Sequence, residues 1–258
     1  MALHRIVAAT AATAALIVLA GCDNLSFRQL DFDTVEPVKV TSVRVLPGAG
    51  DVVVRASGDP AEVRVKRSLR YQGTQPDATY EVTGGELVLD TDCGNLCSIS
   101  YEVTVGAGVA VEGESGAGNV DLSGVGAVQL RVGSGNVRIA GAGGAVRVET
   151  GSGYIEVYDV AAPVTLRASS GNVTATRIAG RVDAEASSGH VTVELDQPNS
   201  VRAHASSGDV EVTVPAAAYQ VRSEAGSGDV ELGVLHRLGA PLVLDVATGS
   251  GDIRVIQR

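Results

Sequence analysis

The 258-residue chain has no Trp, two Phe and six Tyr. Aromatic platforms on which sugars or bases stack are therefore scarce. Lysine is nearly absent: the 20 basic residues include only Lys39 and Lys66, and 30 acidic residues leave a net charge of −10. No basic patch exists to hold a phosphate backbone, which excludes a nucleic-acid partner. Familiar catalytic signatures are missing too: there is no G-x-S-x-G elbow, no P-loop and no G-x-G-x-x-G. The histidines are His4, His190, His204 and His236, and no two have metal-ligand spacing. They read as exposed scaffold residues. No segment beyond residue 21 carries a helical period. The sequence therefore assigns no catalytic residue, no metal ligand and no cofactor.

What the chain has is repetition. A Ser-Gly-x-Val-x-Val theme appears as GAGNVDL (116–122), GSGNVRI (133–139), GSGYIEV (151–157) and SSGNVTA (169–175). It continues as SSGHVTV (187–193), SSGDVEV (206–212), GSGDVEL (226–232) and GSGDIRV (249–255). The second glycines, from Gly118 to Gly251, are spaced by 17 to 23 residues. Such a period marks a solenoid, in which each coil buries its apolar face by stacking on its neighbours. Each coil holds two short strands of alternating polarity joined by glycine-rich turns, as in Asn136–Ile139 and Ala145–Glu149. The expected fold is all-β, a single-stranded parallel β-helix or β-solenoid with coils of about 18–20 residues.

Aligning the coils on the second glycine gives columns. Two residues on lie Val120, Val137, Ile155, Val173, Val191, Val210, Val230 and Ile253, which should be buried. Between them and a second apolar column stand polar residues, Thr174 among them, which should face water. Four residues before each glycine the column reads Arg131, Glu149, Arg167, Glu185, His204, Glu224. Stacked in chain order, these charges alternate, at about 0.2–1 kcal/mol for each exposed pair.

The first third is less regular, with longer coils around Gly50, Gly85 and Gly118 and an excursion over residues 66–78. Atypical end repeats are usual where a solenoid must cap an open end.

The first 21 residues fall outside the fold. His4 and Arg5 precede an apolar run from Ile6 to Ala20, short and alanine-rich for a membrane span. It closes on Leu19-Ala20-Gly21-Cys22, which resembles the lipobox of bacterial lipoproteins. That resemblance implies a signal peptide over residues 1–21, lipid on Cys22 and attachment to the membrane through that lipid. Residues 22–37 read as a tether and 38–258 as the solenoid domain. The other two cysteines, Cys93 and Cys97, lie in DCGNLCS. An exported compartment permits a disulfide between them, whereas a metal site would need two more ligands.

The lipobox, the irregular first coils and the SGDV and SGNV phrases together resemble a bacterial adhesin-type domain family of unknown function. The resemblance spans about residues 38–258. It implies an exported β-solenoid lipid-anchored to the outer face of the cell membrane, with a non-enzymatic role in binding, adhesion or scaffolding. Its partner would be an envelope protein or glycan, and self-association through the solenoid end is a further option. Two alternatives remain open. A polysaccharide-acting β-helix enzyme would use Glu211 and Glu231 as adjoining carboxylates. A calcium-binding β-roll would use Asp209, Asp229 and Asp252.

Overall fold

The computed structural model describes residues 27–76 and 79–258. Cys22 and the apolar leader lie outside the described residues. Those described form 23 strands and no helix. Ten coils each contribute one strand to either of two sheets. The first are β2–β3 (Ser42–Leu46, Val52–Ala56), β6–β7 (Glu86–Asp90, Cys97–Val105) and β8–β9 (Ala110–Ala117, Val120–Ser123). Then come β10–β11 (Val128–Ser134, Val137–Ala140), β12–β13 (Val146–Ser152, Ile155–Val160) and β14–β15 (Val164–Ser170, Val173–Ile178). The last four are β16–β17 (Val182–Ser188, Val191–Leu195), β18–β19 (Val201–Ser207, Val210–Val214), β20–β21 (Tyr219–Ser227, Val230–Gly233) and β22–β23 (Leu242–Ser250, Ile253–Gln257). Outside this pattern lie β1 (Arg28–Glu36), β4 (Val63–Tyr71) and β5 (Tyr80–Thr83).

The core runs between the two sheets. Val120, Val137, Ile155, Val173, Val191 and Val210 are at most 1% exposed, and the polar residue that follows each of them faces outward. Fully burying such a side chain contributes roughly 1.5–3 kcal/mol, and the column repeats it coil after coil. The turn between the sheets needs glycine for two reasons. Gly171 has φ +128°, and a Cβ there would lie 2.0 Å from the Gly153 carbonyl oxygen of the coil below. Left-handed backbone and this close approach both exclude a side chain.

Strand order departs from chain order at both ends. The first sheet runs β1-β4-β7-β3-β9 and onward through the odd strands to β19-β23-β21. The second runs β20-β22-β18 and onward through the even strands to β8-β2-β6-β5. At one end coil β2–β3 sits between β6–β7 and β8–β9. At the other, the last coil in sequence, β22–β23, is inserted between β18–β19 and β20–β21. Residues 219–233, not the last coil, therefore end the stack.

This corrects the charge column. Arg131, Glu149, Arg167, Glu185 and His204 do lie in register on neighbouring strands. His204, however, meets Ala247, and Glu224 lies one strand further out. The reason is electrostatic and apolar together. Insertion places Arg254 between Glu211 and Glu231, and Asp245 between Arg202 and Arg222. Chain-order stacking would set Glu211 against Glu231 and Arg202 against Arg222. It would also bury Ser223, which occupies an inward column that Val246 fills in the inserted coil.

At the start of the stack the core is covered by added strands, although β1 and β5 remain edges of their sheets. β4 pairs antiparallel with β7, and β1 pairs antiparallel with β4 over its whole length. Residues 28–36, read from the sequence as part of a tether over 22–37, are thus a strand. Arg64 grips Asp33 with two bonds, of 2.7 and 2.5 Å, and the Arg67 guanidinium lies 4.1 Å from the centre of the Phe32 ring. Charged and aromatic contacts of this kind suit an edge strand. Cys93 and Cys97 are joined by a disulfide, as expected, with Cα atoms 5.6 Å apart.

Candidate binding surface

A ladder of side chains runs along the glycine turn. Asn119 Oδ1 accepts the backbone N–H of Asn136 at 3.1 Å, and Asn136 Oδ1 accepts that of Tyr154 at 3.2 Å. Tyr154 offers no such acceptor, and the series resumes with Asn172 to His190 and His190 Nδ1 to Asp209, at 3.0 and 3.1 Å. It continues from Asp209 to Asp252 and from Asp252 to Asp229, both at 2.9 Å. Turn preference alone accounts for Asn and Asp here in the sequence. Stacking adds a second role, in which each side chain satisfies the next coil's amide. The regular recurrence of Asn, Asp or His after the second glycine was the available signal.

The ladder decides what the sequence-predicted sites can do. Asp209, Asp252 and Asp229 do come together, in that spatial order. Oδ1 of the first two is engaged by backbone N–H groups. Among the described residues no cluster of three or more His, Cys, Asp or Glu has metal-binding geometry. Glu211 and Glu231 are not neighbours, because Arg254 stands between them and lies 3.2 Å from Glu231. A cation interposed between the two carboxylates breaks the acid–base pair that glycoside chemistry needs.

The outer face of the second sheet carries mixed charge. Arg167 and Arg202 bracket Asp183 at 3.0 and 3.2 Å, and both also approach Glu185 at 3.2 Å. Burial pushes the Asp183 carboxyl up, but the hydrogen bonds and charges of Arg167 and Arg202 outweigh it and hold it below its ordinary range. On the opposite sheet, hydrogen bonds from Arg177 hold Asp159 low. Near the closed end, burial pushes the Tyr101 hydroxyl up to about 12, and it donates toward the carbonyls of Thr79 and Asp90. These groups are neutralised locally or buried, so none presents a field of one sign to a ligand.

The open end differs. Strands β20 and β21 end their sheets, as β1 and β5 do at the other end, but here residues of the core columns are left uncovered. Val230, Leu232, Leu235 and Leu238 are 44%, 43%, 64% and 82% exposed, half of the exposed large hydrophobics among the described residues. In each coil from β8–β9 to β22–β23, the residue in Val230's column donates its N–H to the next coil: Val210 to Asp252 and Ile253 to Asp229, for example, both at 2.9 Å. Val230 has no next coil, and neither has the Asp229 carboxylate. The edge of β20 is half closed by residues 235–237. Tyr219 exchanges backbone bonds with Leu235 and Arg237 at 3.4 and 2.8 Å, and His236 Nδ1 accepts the Val221 N–H at 3.1 Å. What remains is the outer edge of β21, which carries the exposed Val230 and Leu232, with Leu235 and Leu238 exposed in the segment that follows the strand. Exposed apolar patches and open edges are where proteins meet other chains.

Architecture and surface define a two-sheet β-solenoid, closed at one end and open at the other. The chain belongs to the Toastrack DUF4097 family, which it matches over residues 49–256. No curated protein matches it. Solved structures similar to it include a putative adhesin from Bacteroides fragilis, 14% identical, covering 91% of this chain and 99% of that one with a TM-score of 0.49. Another putative adhesin, from Parabacteroides merdae, is 9% identical over 91% of this chain and 97% of its own, with a TM-score of 0.33.

Proposed function

We propose that this protein is a non-enzymatic binding or adhesion element of the bacterial cell envelope, held to the outer face of the membrane by lipid on Cys22. The signal peptide over residues 1–21 is removed in this reading. The observation that carries the binding role is the contrast between the ends. Both finish on strands paired on one side, but at the β1, β4 and β5 end the core columns are covered. At the other end Val230 and Leu232, which occupy core columns, are 44% and 43% exposed, with Leu235 and Leu238 exposed after them. A solenoid that served only as a spacer would gain from capping both. Anchoring supports the same assignment. Five residues separate Cys22 from β1, and at most about 3.6 Å each they keep the sealed end near the lipid. The twelve-stranded sheet then carries the open end about 50 Å further out.

The test is retention of envelope components on immobilised residues 23–258. Retention that Leu232→Asp abolishes and Thr174→Asp leaves intact is the expected result. Retention indifferent to both substitutions removes the open end from the account.

A further inference from the structure

We infer that the open edge of β21 accepts one extended segment of a different protein, in which apolar residues alternate with a basic one. This rests on the binding role proposed above and names the chemistry of the partner at that site.

The stack itself shows what pairs with β21. On its covered side lies β23, whose Ile253-Arg254-Val255 sets two apolar residues against Val230 and Leu232 and an arginine 3.2 Å from Glu231. The uncovered side repeats the same demands. Val230 and Leu232 need apolar cover, the Val230 N–H needs a carbonyl, and the Asp229 carboxylate is placed to accept the N–H that each inner coil supplies. Glu231 can take a second cation from the outer side. Asp183 is already bracketed in that way by Arg167 and Arg202, at 3.0 and 3.2 Å. Strand addition of this type draws affinity from main-chain bonds and specificity from alternate side chains.

Charge argues against a second copy as the occupant in the registers centred on Glu231 and on Val230, and the register centred on Leu232 needs Val234, beyond the end of β21, opposite Val230. Two β21 strands paired about a two-fold axis set Glu231 against Glu231 when Val230 meets Leu232. When Val230 meets Val230 instead, Glu231 faces Asp229 of the other copy. Like charges directly opposite one another destabilise a strand pair.

The probe is a labelled nonapeptide copying residues 249–257, GSGDIRVIQ, with a second peptide carrying Glu in place of its Arg. Binding to residues 23–258 is read by fluorescence anisotropy. The first peptide should bind saturably and the second about tenfold more weakly or worse. Leu232→Asp should abolish binding. Glu231→Arg, at a side chain 70% exposed, should reverse the preference between the peptides while lowering the thermal melt through loss of its Arg254 pair, and Glu231→Gln should remove the preference with the fold retained. Equal binding of both peptides, or binding that survives Leu232→Asp, overturns the inference. So does a dimer in sedimentation equilibrium that Leu232→Asp dissolves, because a second copy would then be the occupant. Should envelope retention depend on Leu232 while neither peptide binds, the inference fails and the proposed function stands; loss of both defeats both.

Discussion

At the scale of single residues, one position along a strand decides between core and solvent. Val173 is fully buried, and its neighbour Thr174 is not. Val173→Asp should cost more than about 4 kcal/mol, because it buries a charge without a partner. Thr174→Asp should stay within about 0.5 kcal/mol. Urea denaturation of both variants checks the pair, and equal damage would mean that the inside and outside faces are misassigned. Asp183 gives a pH signature. Its carboxyl is held below the ordinary range in the folded state, so its contribution is complete above the unfolded value, near 4, and is lost as pH falls through the lowered one. Melting temperatures taken from pH 7 to pH 2.5 should therefore fall less for Asp183→Asn than for the parent. The variant starts from a lower value, because Arg167 and Arg202 lose their shared anion. An identical acid slope in both proteins would remove Asp183 from the acid response. At Cys93–Cys97 the closed loop is short, so replacing both cysteines by serine should cost only about 2 kcal/mol on the chain-entropy view.

At the scale of elements, strand alternation and glycine turns were legible because both are local. A period of two fixes which face a side chain takes, and a turn that brings backbones into contact admits only glycine. Strand β1 was not legible. Its residues, RQLDFDTVE, look like a polar tether, and they become a strand only because β4 offers an edge nine residues long. The order of the last two coils is intermediate. GSGDVEL and GSGDIRV look interchangeable one coil at a time. The signal lay across coils, in Ser223 standing where an apolar residue belongs and in the like charges that chain-order stacking would create. Arg254→Glu should therefore destabilise far more than Arg254→Gln, since it lines up three carboxylates in adjacent strands. Adding Glu231→Arg to Arg254→Glu should recover part of the loss in a double-mutant cycle. No recovery would mean that the two side chains do not face each other as neighbours.

At the scale of the whole molecule, the asymmetry of the ends matters most. The sequence announces a solenoid by its period, yet not which coil ends it, because the terminal coil is defined by what fails to stack upon it. The candidate binding surface was hidden for the same reason. Val230 and Leu232 occupy the same columns as buried residues, and only their place in the stack exposes them. The anchor belongs to this scale too. Mass spectrometry of the mature protein should find acylated Cys22 at the N-terminus, and Cys22→Ala should release the protein or leave it unprocessed. An unmodified N-terminus elsewhere would detach the solenoid from the membrane. The central claim is that residues 219–233 form the open end and that β22–β23 lies inside the stack. Native-state hydrogen exchange tests it most directly, since an amide bonded between two strands opens far more slowly than one on a free edge. The account predicts rapid exchange at Val230 and Leu232 and strong protection at Ile253 and Val255. The reverse pattern, with the last coil exchanging fast and residues 230–232 protected, would contradict it.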